Sequence, residues 1–402
     1  MRWTATVLVF LAATAAHAGS ALTFRADGAF DAPESGIAHG EFAFTSRVRG
    51  DGRARDRVRC DVADLDATRD ADGRLPRLSA VLVAPGGAET PLGTLRVSAR
   101  GRARLARRVA SAALALRDAG GAALELRDAS GTLLRATLPA FALDGADAWS
   151  RTREVYGRFV VPGLPSVPRG SVLLRTTESS DAGVHSVLAL RASSLVTGPT
   201  PSAYRALAFD ATGGRVVELG ALDPEPDVGA NLTLDSQRRA LPGGIVRWTE
   251  FSGGRIEVRV GSSVRLRAAI APLRGVDEPQ ESVGHAHASA SRALTPVAGP
   301  GRGLVRLDVD ALPRGHRERF ELRLLDTGAR TLHVTARAAS GTTTTLGDVV
   351  TKGAAGAGAL VLDTRRGARF PGAPLVRLAG QTLDVRTSDG TLVFTTTLPA
   401  LE

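Results

Sequence analysis

The sequence predicts an all-β protein: three tandem β-sandwich-like (Ig-like) repeat domains after a cleaved signal peptide. Three observations predict it. Apolar and polar residues alternate with period two over many short runs bounded by Gly, Asp and Ser. One strand–turn–strand pattern recurs near the end of each third of the 402 residues. No long window keeps the helical period; the Ala-rich stretch Leu105 to Leu116 comes nearest and is the one candidate for a short helix.

The recurring pattern reads Leu124-Glu125-Leu126-Arg127 with a turn at Ser130-Gly131, then Ile256-Glu257-Val258-Arg259 with a turn at Gly261-Ser262, then Leu383-Asp384-Val385-Arg386 with a turn at Asp389-Gly390. The copies start 132 and 127 residues apart. A second marker agrees: Leu92-Gly93, Leu219-Gly220 and Leu346-Gly347 are spaced 127 and 127. Within each pattern the apolar side chains point to one face and the acid and arginine to the other. The acid–arginine pair is therefore expected on a solvated face, where it contributes about 0–1 kcal/mol.

Further alternating runs are expected as strands at Glu41 to Val48, Arg57 to Leu65, Arg77 to Val83 and Leu95 to Ala99 in the first copy. The third offers Leu304 to Val309, Phe320 to Leu325, Leu332 to Ala336 and Gly358 to Leu362. The expected organisation is a signal peptide over 1–18, repeats over 19–140, 170–272 and 304–402, and Pro- and Gly-containing linkers over 141–169 and 273–303. The signal peptide rests on Arg2, the apolar run Val7 to Ala16 and the small-x-small site Ala16-His17-Ala18. It places the mature chain in the periplasm or outside the cell. No later stretch is apolar for long enough to span a membrane as a helix.

Composition narrows the class. Hydrophobic residues at 43% and charged residues at 23% describe a globular chain, and one Cys excludes an internal disulfide framework. Cys60 alternates with charged residues and shares a face with Val58 and Val62, which reads as a buried, inert thiol. Lys352 is the sole lysine and Asn231 the sole asparagine, the codon bias of a GC-rich bacterium. The net charge of +10 favours an anionic envelope polymer as partner, with another protein as the alternative. The densest basic run spans Arg96 to Arg108; if extended, it puts Arg100, Arg102 and Arg104 on one face as an anion-binding candidate. Aromatic content of 4% argues against specific nucleic-acid reading and against a carbohydrate-stacking platform.

Motifs that carry chemistry are sparse. Asp66, Asp70 and Asp72 ahead of Gly73 form a weak calcium candidate, because anchoring the loop on Gly73 leaves Thr68 and Ser79 at two ligand positions that need acids. His285 and His287 offer two imidazoles in a stretch expected as linker, short of the three or four ligands zinc requires. There is no Gly-x-Ser-x-Gly elbow, and Gly353 to Gly358 lacks a phosphate-loop lysine. No catalytic residue, cofactor or metal is therefore assigned. The expectation is an exported bacterial, non-catalytic structural, adhesive or binding protein of the cell envelope. The alternative is a secreted or periplasmic hydrolase with its site in the loops of one diverged repeat.

Overall fold

The computed structural model describes residues 21–31, 38–49, 53–69, 72–109, 116–193, 195, 204–225, 229–353, 355–367, 370 and 375–401. The expected signal peptide lies outside them. Among the described residues every regular element is a strand or a short 3-10 turn, and the strands pair in antiparallel sheets. Two compact units separate. The first holds the residues up to Asp144 with Arg323–Arg330 and Val350–Ala359; the second holds Gly145–Leu322, Thr331–Val349 and the residues from Leu360 onward.

In the first unit the strands are β1 (Ala21–Ala29), β2 (His39–Arg49), β3 (Ala54–Ala63), β4 (Arg77–Val83), β5 (Glu89–Arg96), β6 (Ala103–Val109), β7 (Ala123–Arg127), β8 (Thr132–Thr137) and β9 (Ala142–Leu143). One sheet runs β6-β3-β2-β1-β9 and the other β5-β4-β7-β8. Their inner faces meet in one core, with Phe42, Phe44, Val58 and Cys60 from the first sheet against Leu78, Leu82, Leu124 and Leu126 from the second. This two-layer packing follows from the period-two alternation, which gives each sheet one apolar face to cover.

The second unit continues with β10 (Trp149–Val161), β11 (Leu164–Ser179), β12 (Gly183–Ser193), β13 (Tyr204–Phe209), β14 (Val216–Ala221), β15 (Asp223–Glu225), β16 (Gly229–Asp235), β17 (Arg255–Val260) and β18 (Ser263–Ala269). Then come β19 (Gly284–Ala293), β20 (Thr295–Pro296), β21 (Arg302–Leu312), β22 (Gly315–Leu325), β23 (Thr331–Arg337), β24 (Thr343–Val350), β25 (Gly358–Asp363), β26 (Thr382–Thr387) and β27 (Leu392–Thr397), of which Arg323–Leu325, Val350 and Gly358–Ala359 belong to the first unit. The run β16-β12-β11-β10 packs on β14-β13-β17-β18 around Phe159, Leu174, Leu188, Trp248, Phe251 and Ile256. Strand β10 also pairs β19, which leads on through β21 and β22 to β25; a separate sheet runs β20-β27-β26-β23-β24. Beside its register shifts, β10 makes a single pairing to β18, Val160 opposite Arg267.

The chain passes between layers through three buried crossovers. The turns Leu116–Asp118, Trp248–Phe251 and Leu375–Leu378 precede β7, β17 and β26 and bury Leu116, Trp248, Phe251, Leu375 and Leu378. A buried first N–H at such a turn must find an acceptor. Asp56 Oδ2 accepts from Leu116 N at 3.3 Å, Thr176 Oγ1 from Trp248 N at 2.9 Å, and Glu318 Oε1 from Leu375 N at 3.0 Å.

Several expectations change. Leu105 to Val109 belongs to β6, not to a helix: it pairs β3 from Val62↔Ala103 to Asp56↔Val109, with Ala103 and Leu105 inward and Arg104 and Arg108 outward. Residues 141–169 and 273–303, expected as linkers, hold β10 and β19. Pro162 and Pro279 lie outside the strands while Pro165 and Pro168 fall within β11 and Pro296 within β20, and alternating Thr, Ser and His on the outer face hides the pattern that apolar residues would display.

The Leu-Gly marker has a backbone cause. Ala80 pairs Gly93 but Val81 pairs Pro91, and Ala206 pairs Gly220 but Leu207 pairs Glu218, so Leu92 and Leu219 are extra residues at bulges. Gly93, Gly220 and Gly347 take φ of 149°, 134° and 142°, conformations that favour glycine, while Leu92, Leu219 and Leu346 drop into the interior. A Cβ at Gly220 meets nothing closer than Leu232 Cδ1 at 3.9 Å, so its cost is purely conformational. Gly220→Ala should therefore destabilise by about 1–3 kcal/mol in denaturant melts. An unchanged midpoint would show that this bulge does not need glycine.

Candidate functional site

Strand β19 runs between β10 and β21, and its register assembles a row of polar side chains across one sheet face. Opposite His287 stand Thr152 on one side and Asp310 on the other; opposite Thr152 stands Thr177, and opposite Thr177 stands His185. His287 Nδ1 lies 2.8 Å from Asp310, Thr152 and Thr177 hydroxyls are 3.0 Å apart, and His185 Nε2 lies 2.9 Å from Asp235. The row thus has an acid–imidazole pair at each end and two hydroxyls between. Arg365 binds Asp310 at 2.5 Å, and His285 Nε2 approaches the same carboxylate at 3.7 Å.

The electrostatics fix the ionised carboxylates. Burial alone would push the Asp310 carboxyl up, but the hydrogen bond from His287 and the charge of Arg365 hold it below the ordinary value. Asp235 is lowered by the backbone N–H of Gln237 and then by His185. With Nδ1–H given to Asp310, His287 leaves Nε2 as a proton acceptor, the orientation a general base requires. On the opposite face of the same strands Arg151, Arg153, Asp277, Glu278 and Ala286 help line a cleft of about 150 Å³. That is below the about 300–1,000 Å³ of ordinary small-ligand pockets.

The sequence candidates lie elsewhere. Asp66 accepts from Thr68 N at 2.8 Å and Thr68 Oγ1 at 2.6 Å, the geometry of a polar turn. Asp72 is 3.7 Å from Arg74, and Asp70 lies outside the described residues. Among the described residues no group of three or more His, Cys, Asp or Glu side chains converges to hold a metal. Arg100 and Arg102 sit on the turn closed by Gly101 N to Ser98 O at 3.0 Å, and only Arg104 is on β6, with Nε 3.2 Å from Asp61. The three guanidinium groups therefore do not share one extended face. Cys60 is fully buried; burial, and then the charge of Asp61, push its thiol up to about 12, so it stays protonated at neutral pH.

The acid of the recurring Leu-Glu-Leu-Arg pattern is not solvated. Glu125, Glu257 and Asp384 are all buried on the outer faces of their sheets, Glu257 to within 1%. Each lies on a strand flanked on both sides, and long arginines fold over it. Glu257 accepts from Arg255 Nε at 3.0 Å, Arg259 Nε at 2.8 Å and Arg267 Nη2 at 3.0 Å. Glu125 accepts from Arg127 Nε at 2.8 Å and Thr132 Oγ1 at 3.1 Å; Asp384 accepts from Arg386 Nη2 at 3.1 Å and Thr395 Oγ1 at 3.0 Å. No protein-family model, curated protein or solved structure matches the chain.

Burial raises the Glu257 carboxyl, yet the arginine hydrogen bonds outweigh it and leave the pKa below the ordinary glutamate value. A carboxyl depressed in the folded state stabilises above its unfolded pKa of about 4.3, and that contribution is lost as pH falls through the lower folded value. Thermal melts should therefore be flat near neutrality and fall below about pH 4, with Glu257→Gln losing part of the acid slope and about 2 kcal/mol at pH 7. A variant as stable as the parent at pH 7 would show that the arginine clamp contributes nothing net.

Proposed function

We propose that the chain is an exported bacterial structural, adhesive or binding protein of the cell envelope, non-catalytic, built from three Ig-like sandwich copies that begin at β1, β10 and β19. The observation that carries this reading is one strand order met three times. In chain order the first, second, third and sixth main strands make one layer and the fourth, fifth, seventh and eighth the other: β6-β3-β2-β1 with β5-β4-β7-β8, β16-β12-β11-β10 with β14-β13-β17-β18, and β25-β22-β21-β19 with β24-β23-β26-β27. The last hairpins β7–β8, β17–β18 and β26–β27 shift register at the same step, before Arg127, Arg259 and Arg386. Repetition of a scaffold whose singular buried polar groups hold crossovers and arginine clamps suits display of binding surfaces along a chain.

A second reading, a secreted or periplasmic hydrolase, is favoured by the Asp310–His287 pair with Thr152 at the adjacent register position, an acid–base–hydroxyl order. Pull-down of the mature chain from native envelope, followed by a broad hydrolase substrate panel, separates the two. Specific capture of an envelope component with no turnover is the expected result. Turnover abolished by His287→Ala would replace the binding reading with the hydrolase one.

A further inference from the structure

The outer face of the β6-β3-β2-β1 layer carries arginines in an arrangement that folding alone disfavours. Cross-strand register sets Arg47 directly opposite Arg55 and Arg57 directly opposite Arg108, with Thr45 between Arg25 and Arg57. Like charges at directly opposed positions destabilise a sheet. All of these arginines are exposed. Arg25 is paired with Asp144 at 3.1 Å, but Arg47, Arg55, Arg57 and Arg108 have no ion pair or side-chain hydrogen bond among the described residues.

Codon bias enriches arginine everywhere, and exposed Arg77 and Arg96 also stand opposite each other on β4 and β5, yet many of the arginines are neutralised by acids. Arg59 and Arg104 share Asp61, Arg127 and Arg135 meet Glu125, three arginines close on Glu257, and Arg306 holds Asp308. On the β6-β3-β2-β1 face the described acids Asp27, Glu41 and Asp61 lie one and two register rows beyond Arg57 and Arg108, so among the described residues the four arginines stand together without a paired counter-charge.

We propose that this face is the binding surface for a linear acidic polysaccharide, gripped through its carboxylates by Arg47, Arg55, Arg57 and Arg108. Guanidinium forks bind carboxylates in bidentate pairs, and their cross-strand and along-strand spacings of about 5 and 7 Å present a grid to an extended polymer. The described side chains beside the four on this face are Thr23, Thr45, Ala106, Arg25 and Arg59, with no aromatic ring, so bases of a single-stranded nucleic acid find no stacking platform there. The inference rests on the binding-protein reading and names its partner class.

The test measures binding of the mature chain to alginate, to an oligothymidylate and to neutral dextran over a salt series. Alginate binding that weakens with salt is expected, with dextran inert and oligothymidylate at least tenfold weaker. The variant R47S/R55S/R57S/R108S should lose at least tenfold in alginate affinity while melting at or above the parent temperature, since it removes the opposed like charges. R77S/R96S/R100S, with nearly equal charge loss and no residue on this face, should stay within threefold of the parent. Equal losses in both variants, unchanged affinity in the first, or tighter binding to oligothymidylate would overturn the proposal. Capture of an envelope protein by a chain that ignores alginate would also overturn it, while leaving the binding-protein reading standing; turnover of a substrate would remove that reading itself.

Discussion

The structure depends on satisfying a backbone N–H where the chain turns inward between two layers. A sheet with one apolar face is stable only when a second sheet covers it, and the chain must cross the open end of the sandwich to make that cover. The crossing turns carry leucine, tryptophan and phenylalanine into the interior, which brings their first N–H groups out of water. A buried donor without an acceptor costs about 1–3 kcal/mol. Asp56, Thr176 and Glu318 supply the acceptors from strands of the opposite layer, so each anchor ties a crossover to a sheet. Around Thr176 the tie extends further: its hydroxyl lies 3.2 Å from Ser186 Oγ, which donates to Val246 O at 2.7 Å.

The same economy governs the outer faces. A chain rich in arginine and almost without lysine has to place many guanidinium groups on sheet surfaces, where the long stems cover apolar area and the heads need acids. Most of the faces solve this by clustering arginines around one carboxylate, deeply enough at Glu257 that an outward-pointing acid becomes a buried one. On the β6-β3-β2-β1 face Asp61 gathers Arg59 and Arg104, but Arg47, Arg55, Arg57 and Arg108 keep no acid partner among the described residues, and that contrast gives them a meaning that charge alone lacks. Excess positive charge by itself describes solubility and encounter; charge left unpaired beside neighbours that are paired describes a surface with another use.

Much of the fold was legible. Arg77–Val83 was readable to the residue because Leu78, Ala80 and Leu82 alternate cleanly inward. β10 and β19 were not, because their outer faces carry Thr152, Glu154, His285 and His287 between small or charged inner residues, leaving no apolar stripe to read. The short β6 misled for the opposite reason: its alanines suit a helix locally, and pairing with β3 overrides that preference. The anchors carried a signal that period-two reading can use, since Asp56 is in phase with Val58, Cys60 and Val62, and Glu318 with Phe320 and Leu322. A polar residue in phase with a core stripe marks a buried partner. The polar row at His287 and the arginine face were beyond reach, because both arise from cross-strand register, which no local window contains.

Amide hydrogen exchange at Leu116, Trp248 and Leu375 tests most directly whether buried, anchored crossovers hold the layers together. Protection at these three amides should equal that in the central strands β7, β17 and β26 which follow them, and be lost only with global unfolding. Fast exchange at the three amides while those strands remain protected would contradict it.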